Sequence, residues 1–132
     1  MSMTRIKLGM VGGGNDAFIG GVHRIASRID DRYELVAGAL SSTPEKAQAS
    51  GKALGIARIY DDFKQMAIRE ARLKNGIEAV SIVTPNHMHA APAITFLEAG
   101  IHVICDKPLA ATMEQADALQ AAVTASTVHF FL

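Results

Sequence analysis

Ile6-Lys-Leu-Gly-Met-Val-Gly-Gly-Gly-Asn-Asp-Ala-Phe-Ile-Gly-Gly-Val-His23 runs from a strand, through a cluster of glycines, into a helix. The segment Ile6–Val11 is a nearly continuous apolar run, the pattern of a strand covered on both faces rather than one alternating between core and water. Gly12-Gly13-Gly14 breaks it. Beyond the break, Phe18, Ile19, Val22, Ile25, Ala26 and Ile29 recur at spacings of three and four, which predicts a helix with one apolar face turned to a core.

The same alternation continues along the chain. Strands are expected at Ile6–Val11, Glu34–Leu40, Ala57–Tyr60, Glu78–Thr84, His102–Asp106 and Val128–Leu132. Ser42-Thr-Pro-Glu45 reads as a capping box with proline in the first helical turn, and Gly55 as the stop of that helix. A weaker helix covers about Asp62–Leu73, another about His89–Ala99 with Gly100 behind it, and Thr112-Met-Glu-Gln115 opens a fifth by a second capping box. Strand and helix in turn imply an α/β fold, a doubly wound parallel sheet of about six strands in the order 3-2-1-4-5-6. The chain ends in an apolar strand, Phe130-Phe131-Leu132. Termini are usually exposed and polar, so the sequence reads as one domain, 1–132, truncated at its C-terminus.

Composition narrows the function. The 132 residues are 49% hydrophobic and 20% charged, an ordinary globular balance. Thirteen basic side chains cancel thirteen acidic ones, so no basic field draws the chain to nucleic acid or to a membrane surface. No apolar run approaches the roughly 20 residues that span a bilayer, and no secretory leader precedes the first strand. The single cysteine, Cys105, excludes an internal disulfide framework and fits a reducing compartment. A cytoplasmic location follows.

In an open parallel sheet ligands bind beyond the carboxyl ends of the strands, and four segments fall there. The first is the glycine turn. Phosphate binding needs backbone N–H groups aimed at the anion with no Cβ in the way, and the following helix adds its positive end. Gly12, Gly14 and Ala17 fit G-x-G-x-x-G/A, with Gly20 the alternative for close helix–strand contact. Asn15, Phe18 and Ile19 around the turn are further candidates for cofactor contact. No Gly-Lys-Ser/Thr follows, which disfavours a P-loop. The second segment is the end of the second strand, where an acid would accept from a ribose 2′-OH. Here stand Ser41, Ser42 and Thr43; the small hydroxyls leave room for a 2′-phosphate that Lys46 would neutralise, which tilts the cofactor toward NADP over NAD. The hydroxyls of Ser42 and Thr43 also suit a helix cap.

The third segment is Thr84-Pro-Asn-His-Met-His89, where Pro85 ends the strand and Asn86 and His89 offer polar side chains to a nicotinamide ribose. His87 and His89 also have a metal-like spacing, but the three or four ligands a metal site needs are not evident. The fourth is Asp106-Lys107-Pro108. An ammonium at a strand end can hydrogen-bond a substrate hydroxyl, the neighbouring carboxylate can accept from ribose, and Pro108 fixes the backbone, with a cis bond open to it. Cys105 and the methionines read as core filling.

Taken in order, Val11-Gly-Gly-Gly14, Thr84-Pro85-Asn86…His89 and Asp106-Lys107-Pro108 make the chain from Arg5 to Leu132 resemble the Gfo/Idh/MocA family of NAD(P)-dependent oxidoreductases. The last triplet has aspartate where the family has glutamate, and the acid after the second strand is missing. The resemblance implies a Rossmann dinucleotide-binding domain. It implies that Lys107 contacts substrate beside the nicotinamide and is the catalytic residue of this part, while Asp106 and the Pro85-Asn86 segment bind the nicotinamide end. It implies a sugar or polyol substrate, oxidised at a secondary alcohol or formed from the ketone. It also implies a second, α+β domain absent here, which supplies a catalytic histidine and the homo-oligomer interface, so this chain alone is expected to be inactive. A non-catalytic dinucleotide-binding or redox-sensing module is the alternative, because fold does not fix function.

Overall fold

The computed structural model describes residues 4–14 and 18–132. Its strands are β1 (Ile6–Gly12), β2 (Tyr33–Ala39), β3 (Arg58–Ile59), β4 (Ala79–Val83), β5 (His102–Cys105) and β6 (Phe130–Phe131). Its helices are α1 (Phe18–Ile29), α2 (Pro44–Ala53), α3 (Phe63–Arg72), α4 (Ala90–Glu98) and α5 (Met113–Ala125), with a short 3-10 turn at Asn86–Met88. The six strands form one parallel sheet in the order β3-β2-β1-β4-β5-β6, as the alternation predicts. The order reverses between β1 and β4, and there the connecting helices leave on opposite faces.

One face carries the larger core. Phe96 and Ala93 of α4, Met66 of α3 and Leu119 of α5 pack against Val11, Val80, Ile82 and Val103. The other face is thinner: Met10, Leu40, Ile56 and Val83, with Ile19 and Leu54 beside them, lie under α1 and α2. A buried polar pin adds to the first face. Glu70 accepts from Arg58 Nε and Nη2 at 2.7 and 2.9 Å, from the Tyr60 hydroxyl at 2.5 Å and from the Ile77 N–H at 3.1 Å, tying α3 to β3 and to the entry of β4. Burial alone would raise the Glu70 carboxyl, but these donors outweigh it and hold the group below its ordinary value. Burial, with the Glu70 carboxylate beside it, pushes the Tyr60 hydroxyl up to about 12.

Three local expectations are corrected. The apolar stripe of α1 meets the core at Ile19 but not along its length: Phe18, Ile25 and Ile29 are 84%, 60% and 80% exposed, and the buried edge is Gly20, flanked by half-buried His23 and Arg24. At Gly20 the helix backbone meets Gly13 so closely that not even a Cβ fits between them. The Ser42–Glu45 capping box does not form; Thr43 is the N-cap without a side-chain bond, Pro44 opens α2, and Ser41 Oγ accepts from the Thr43 N–H instead. The edge strands β3 and β6 are shorter than expected, two residues each. The other helix signals hold: Asp62 caps α3 through the Gln65 N–H, and Thr112 caps α5 through the Gln115 N–H while Gln115 accepts from Ala111.

Candidate functional site

At the end of β1 the chain takes two left-handed residues, Gly12 with φ 79° and Gly13 with φ 74°, which only glycine adopts cheaply. A Cβ on Gly13 would lie 2.9 Å from Val83 Cγ2 and 3.1 Å from Gly20 Cα, and one on Gly20 would collide with Gly13 Cα. Gly20 is therefore a close helix–strand contact. Arg24 Nη1 donates to the Gly13 carbonyl at 2.5 Å and fixes the turn from the helix side. A Cβ on Gly14 would approach Ser50 Oγ and the Leu40 carbonyl to 3.1 and 3.2 Å, so bare backbone meets the ends of β2 and α2.

The turn opens on a cleft of about 880 Å³. Gly12, Gly13 and Gly14 line it; Ser41 and Ser42 line it at the end of β2, Lys46 from the first turn of α2, and Thr84 and Pro85 at the end of β4. These are seven of the expected site residues and the bare Gly13 in one concavity, at the switch point. Asp61 and Asp62, at the end of β3, also line the cleft and were not expected there; their only signal in sequence is that they follow the third strand. His87 also lines the cleft. Asn15 and Ala17 lie outside the described residues. Phe18 is on the exposed face of α1, Ile19 packs on the minor core, and Asn86 is exposed in the 3-10 turn.

His89 is the clearest departure. It is 1% exposed, with Nδ1 2.7 Å from the Pro108 carbonyl and Nε2 2.9 Å from the Thr84 carbonyl. Both partners only accept, so each contact calls for an N–H: the imidazolium supplies two, the neutral ring one. The expected side-chain offer of His89 to a ribose gives way to a structural tie between the third and fourth segments, because its polar atoms are spent inside the protein.

The fourth segment leaves β5 on the same rim. The Asp106 N–H donates to the Ile82 carbonyl at 3.0 Å, Lys107 is exposed, and the Lys107–Pro108 peptide is cis. The Asp106 carboxylate is held by a residue that sequence reading did not single out: His23 of α1, with Nε2 3.2 Å from Asp106 Oδ1 and Nδ1 2.7 Å from the hydroxyl of buried Ser81. Its signal in sequence is faint: a histidine beside Gly20 and Arg24, off the apolar stripe of the helix. Cys105 is buried, and burial with the adjacent Asp106 charge pushes its thiol up to about 11, which suits core filling and not a nucleophile. Among the described residues no group of three or more His, Cys, Asp or Glu side chains is arranged to hold a metal, and no helix is long and apolar enough to cross a membrane.

Residues 6–132 match the oxidoreductase family with an NAD-binding Rossmann fold, Gfo/Idh/MocA. The chain belongs to this family. Among its relatives, it is 40% identical over 119 residues to the uncharacterized oxidoreductase YfiI of Bacillus subtilis (strain 168), covering 88% of this chain and 30% of that protein. It is 34% identical over 128 residues to the levoglucosan dehydrogenase of Pseudarthrobacter phenanthrenivorans, covering 92% and 31%. Among solved structures, an inositol dehydrogenase homolog from Azotobacter vinelandii, complexed with NADH and myo-inositol, matches with a TM-score of 0.90 and 40% identity over 96% of this chain and 34% of that one. The chain spans about 30% of the length of the curated relatives it matches. It is thus an NAD-binding domain of an oxidoreductase family, with the six-stranded Rossmann sheet expected of one.

Proposed function

We propose that this chain is the cofactor-binding part of an enzyme that moves a hydride between a nicotinamide cofactor and a secondary alcohol or ketone of a sugar or polyol. The observation that carries the reading is the common rim: the Gly12–Gly14 turn and the Asp106-Lys107-Pro108 segment leave β1 and β5 on either side of β4, facing one end of the sheet. The residues fit a dinucleotide, since Gly12 and Gly13 hold a conformation that side chains resist and Gly14 presents its backbone to the cleft. When bound, the nicotinamide supplies the hydride acceptor or donor. The chain's own residues do the rest. The N–H groups of the turn bind pyrophosphate; Thr84, Pro85 and Asn86 border the nicotinamide end; Asp106 accepts from a ribose hydroxyl; Lys107 donates to the reacting oxygen and orients it. A second domain supplies the remaining substrate contacts, a histidine acting as base and the oligomer interface, so the isolated chain binds without turnover. A cytoplasmic enzyme fits the reducing environment that a single buried thiol suggests.

For the cofactor's 2′ position, Ser41, Ser42 and Lys46 tilt the sequence toward NADP. Asp61 and Asp62 line the same cleft, Asp62 also capping α3. A 2′-phosphate brings close to two negative charges, like any phosphomonoester, and one lysine against two carboxylates is a net repulsion. We therefore assign the preference to NAD. Titration of the chain with NADH and NADPH, followed by nicotinamide fluorescence, tests both points. NADH saturates more tightly, and Gly14→Val weakens it at least about tenfold by filling the phosphate approach. Indifference of binding to Gly14→Val overturns the dinucleotide reading; tighter NADPH overturns the preference alone.

A further inference from the structure

We propose that His23 is a positioning residue of the site, acting through Asp106. The ring spans three elements: it belongs to α1, whose glycine-packed edge faces the phosphate turn; its Nδ1 meets Ser81 on β4; and its Nε2 meets Asp106 at the end of β5. An ionised carboxylate only accepts, so Nε2 carries the proton. In the neutral ring Nδ1 is then bare and accepts from the Ser81 hydroxyl. Ser81 is 2% exposed and its hydroxyl has no other partner among the described residues, so the buried serine selects the Nε2–H tautomer. Asp106 is thereby gripped by Oδ1 alone. Its Oδ2 has no hydrogen-bond partner among the described residues, and the side chain keeps 24% of its surface open to the rim.

The backbone of this segment does not depend on His23. The Asp106 N–H is bound to Ile82 and the Pro108 carbonyl to His89, so both ends of the Asp106-Lys107-Pro108 turn are anchored independently. Removing His23 therefore frees one carboxylate to rotate without releasing the turn. The inference rests on the proposed dinucleotide role of this rim. There the free oxygen is the one that accepts from a ribose hydroxyl, and an Asp106 with a fixed rotamer binds without first losing rotational freedom.

The test is NADH affinity of the chain carrying His23→Leu, His23→Gln, Asp106→Ala and the Leu/Ala pair, with unfolding midpoints for each. Loss of a charge-assisted hydrogen bond predicts about a tenfold weakening for His23→Leu. The glutamine amide reaches about as far as Nε2 and donates likewise, so His23→Gln recovers affinity to within about threefold of wild type. In the Asp106→Ala background the His23→Leu effect disappears, as required if His23 acts only through the carboxylate. His23→Leu binding as wild type, or His23→Gln binding no better than Leu at equal stability, overturns the proposal. Should the Leu variant not fold, two-bond ¹H–¹⁵N correlation on the wild type decides: Nε2–H with Nδ1 bare, and a signal displaced by Asp106→Ala, sustains it, whereas Nδ1–H or no response to Asp106→Ala ends it. Absence of saturable NADH binding by the wild type removes the underlying functional reading itself, and this inference with it.

Discussion

Helix α4 presses Ala90, Pro92, Ala93, Phe96 and Leu97 into the sheet, whereas α1 meets the opposite face with Gly20, His23 and Arg24 and turns Phe18, Ile25 and Ile29 to water. Both helices connect neighbouring parallel strands of the same sheet, so topology does not explain the difference. What separates them is how close each backbone lies to the strands. On the α4 face, bulk holds the layers apart and the gain is buried apolar area. On the α1 face, glycine against glycine lets backbones touch, the turn is pinned by the Arg24 guanidinium, and the gain is a strand end whose backbone lines a cleft. The larger core lies on one face of the sheet and the proposed binding geometry on the other.

The largest test of this division is Phe96→Ala. Phe96 is fully buried at the centre of the larger core, so truncation leaves a cavity costing about 3–5 kcal/mol, read from the urea midpoint. If the two faces have separate roles, NADH affinity of the fraction still folded is unchanged. A loss of affinity at full folding would break the comparison.

Next comes Glu70, the polar pin of the same face. Its carboxyl lies below the ordinary value, so its contribution to stability is present above the ordinary carboxylate range and is lost as pH falls through the lower, folded-state value. Glu70→Ala leaves the Arg58 guanidinium and Tyr60 hydroxyl without their acceptor and costs about 2–4 kcal/mol at neutral pH, toward the low side for a broken buried pair because Arg58 still reaches water. Unfolding curves between neutral and acid pH should converge for wild type and variant, since acid removes from the wild type what the substitution has already removed. Parallel curves would show that Glu70 is not the group that titrates.

On the other face, Gly20→Val should reverse the order of effects. Its Cβ runs into Gly13 Cα, which is main chain and cannot turn aside, so α1 must lift. The stability cost is about 1–3 kcal/mol, as for other overpacked contacts. NADH binding falls far more than that cost explains, because the displaced helix takes the glycine turn with it. A Gly20→Val chain that binds normally would disconnect the turn from the helix.

These two faces also differ in how far the sequence discloses them. The sheet order, the five helices and the cleft at the end of β1 follow from apolar runs, caps and glycines, because those features act over a few residues. The α4 face obeys the helical-periodicity rule. The α1 face violates it: periodicity assigned Phe18, Val22, Ile25 and Ile29 to the core, yet the contact that orients the helix is between two glycines, which carry no hydrophobic signal. His23 and His89 were opaque for another reason. Each acquires its meaning from a partner far along the chain, Asp106 for one and Pro108 for the other, and only the closed sheet brings them within reach. Asp61 and Asp62 likewise reach the cleft that Lys46 lines only because β3 pairs with β2.

The smallest expected effect lies on the outer stripe of α1, and it is the sharpest probe of the comparison. Ile29 is 80% exposed and Ile25 60%, at one helical spacing. Were the periodicity rule right for this helix, Ile29→Lys would bury a charge and cost several kcal/mol. With the stripe in water, the substitution removes little apolar contact, adds a solvated cation in the last turn of the helix where the macrodipole welcomes it, and stays within about 0.5 kcal/mol of wild type. The same substitution at Phe96 would unfold the chain. Equal urea midpoints for Ile29→Lys and wild type, beside a collapsed one for Phe96→Ala, separate an exposed stripe from a buried one. A large loss at Ile29 would mean that α1 packs on its apolar side after all, and the close approach of Gly20 to Gly13 would have to be abandoned with it.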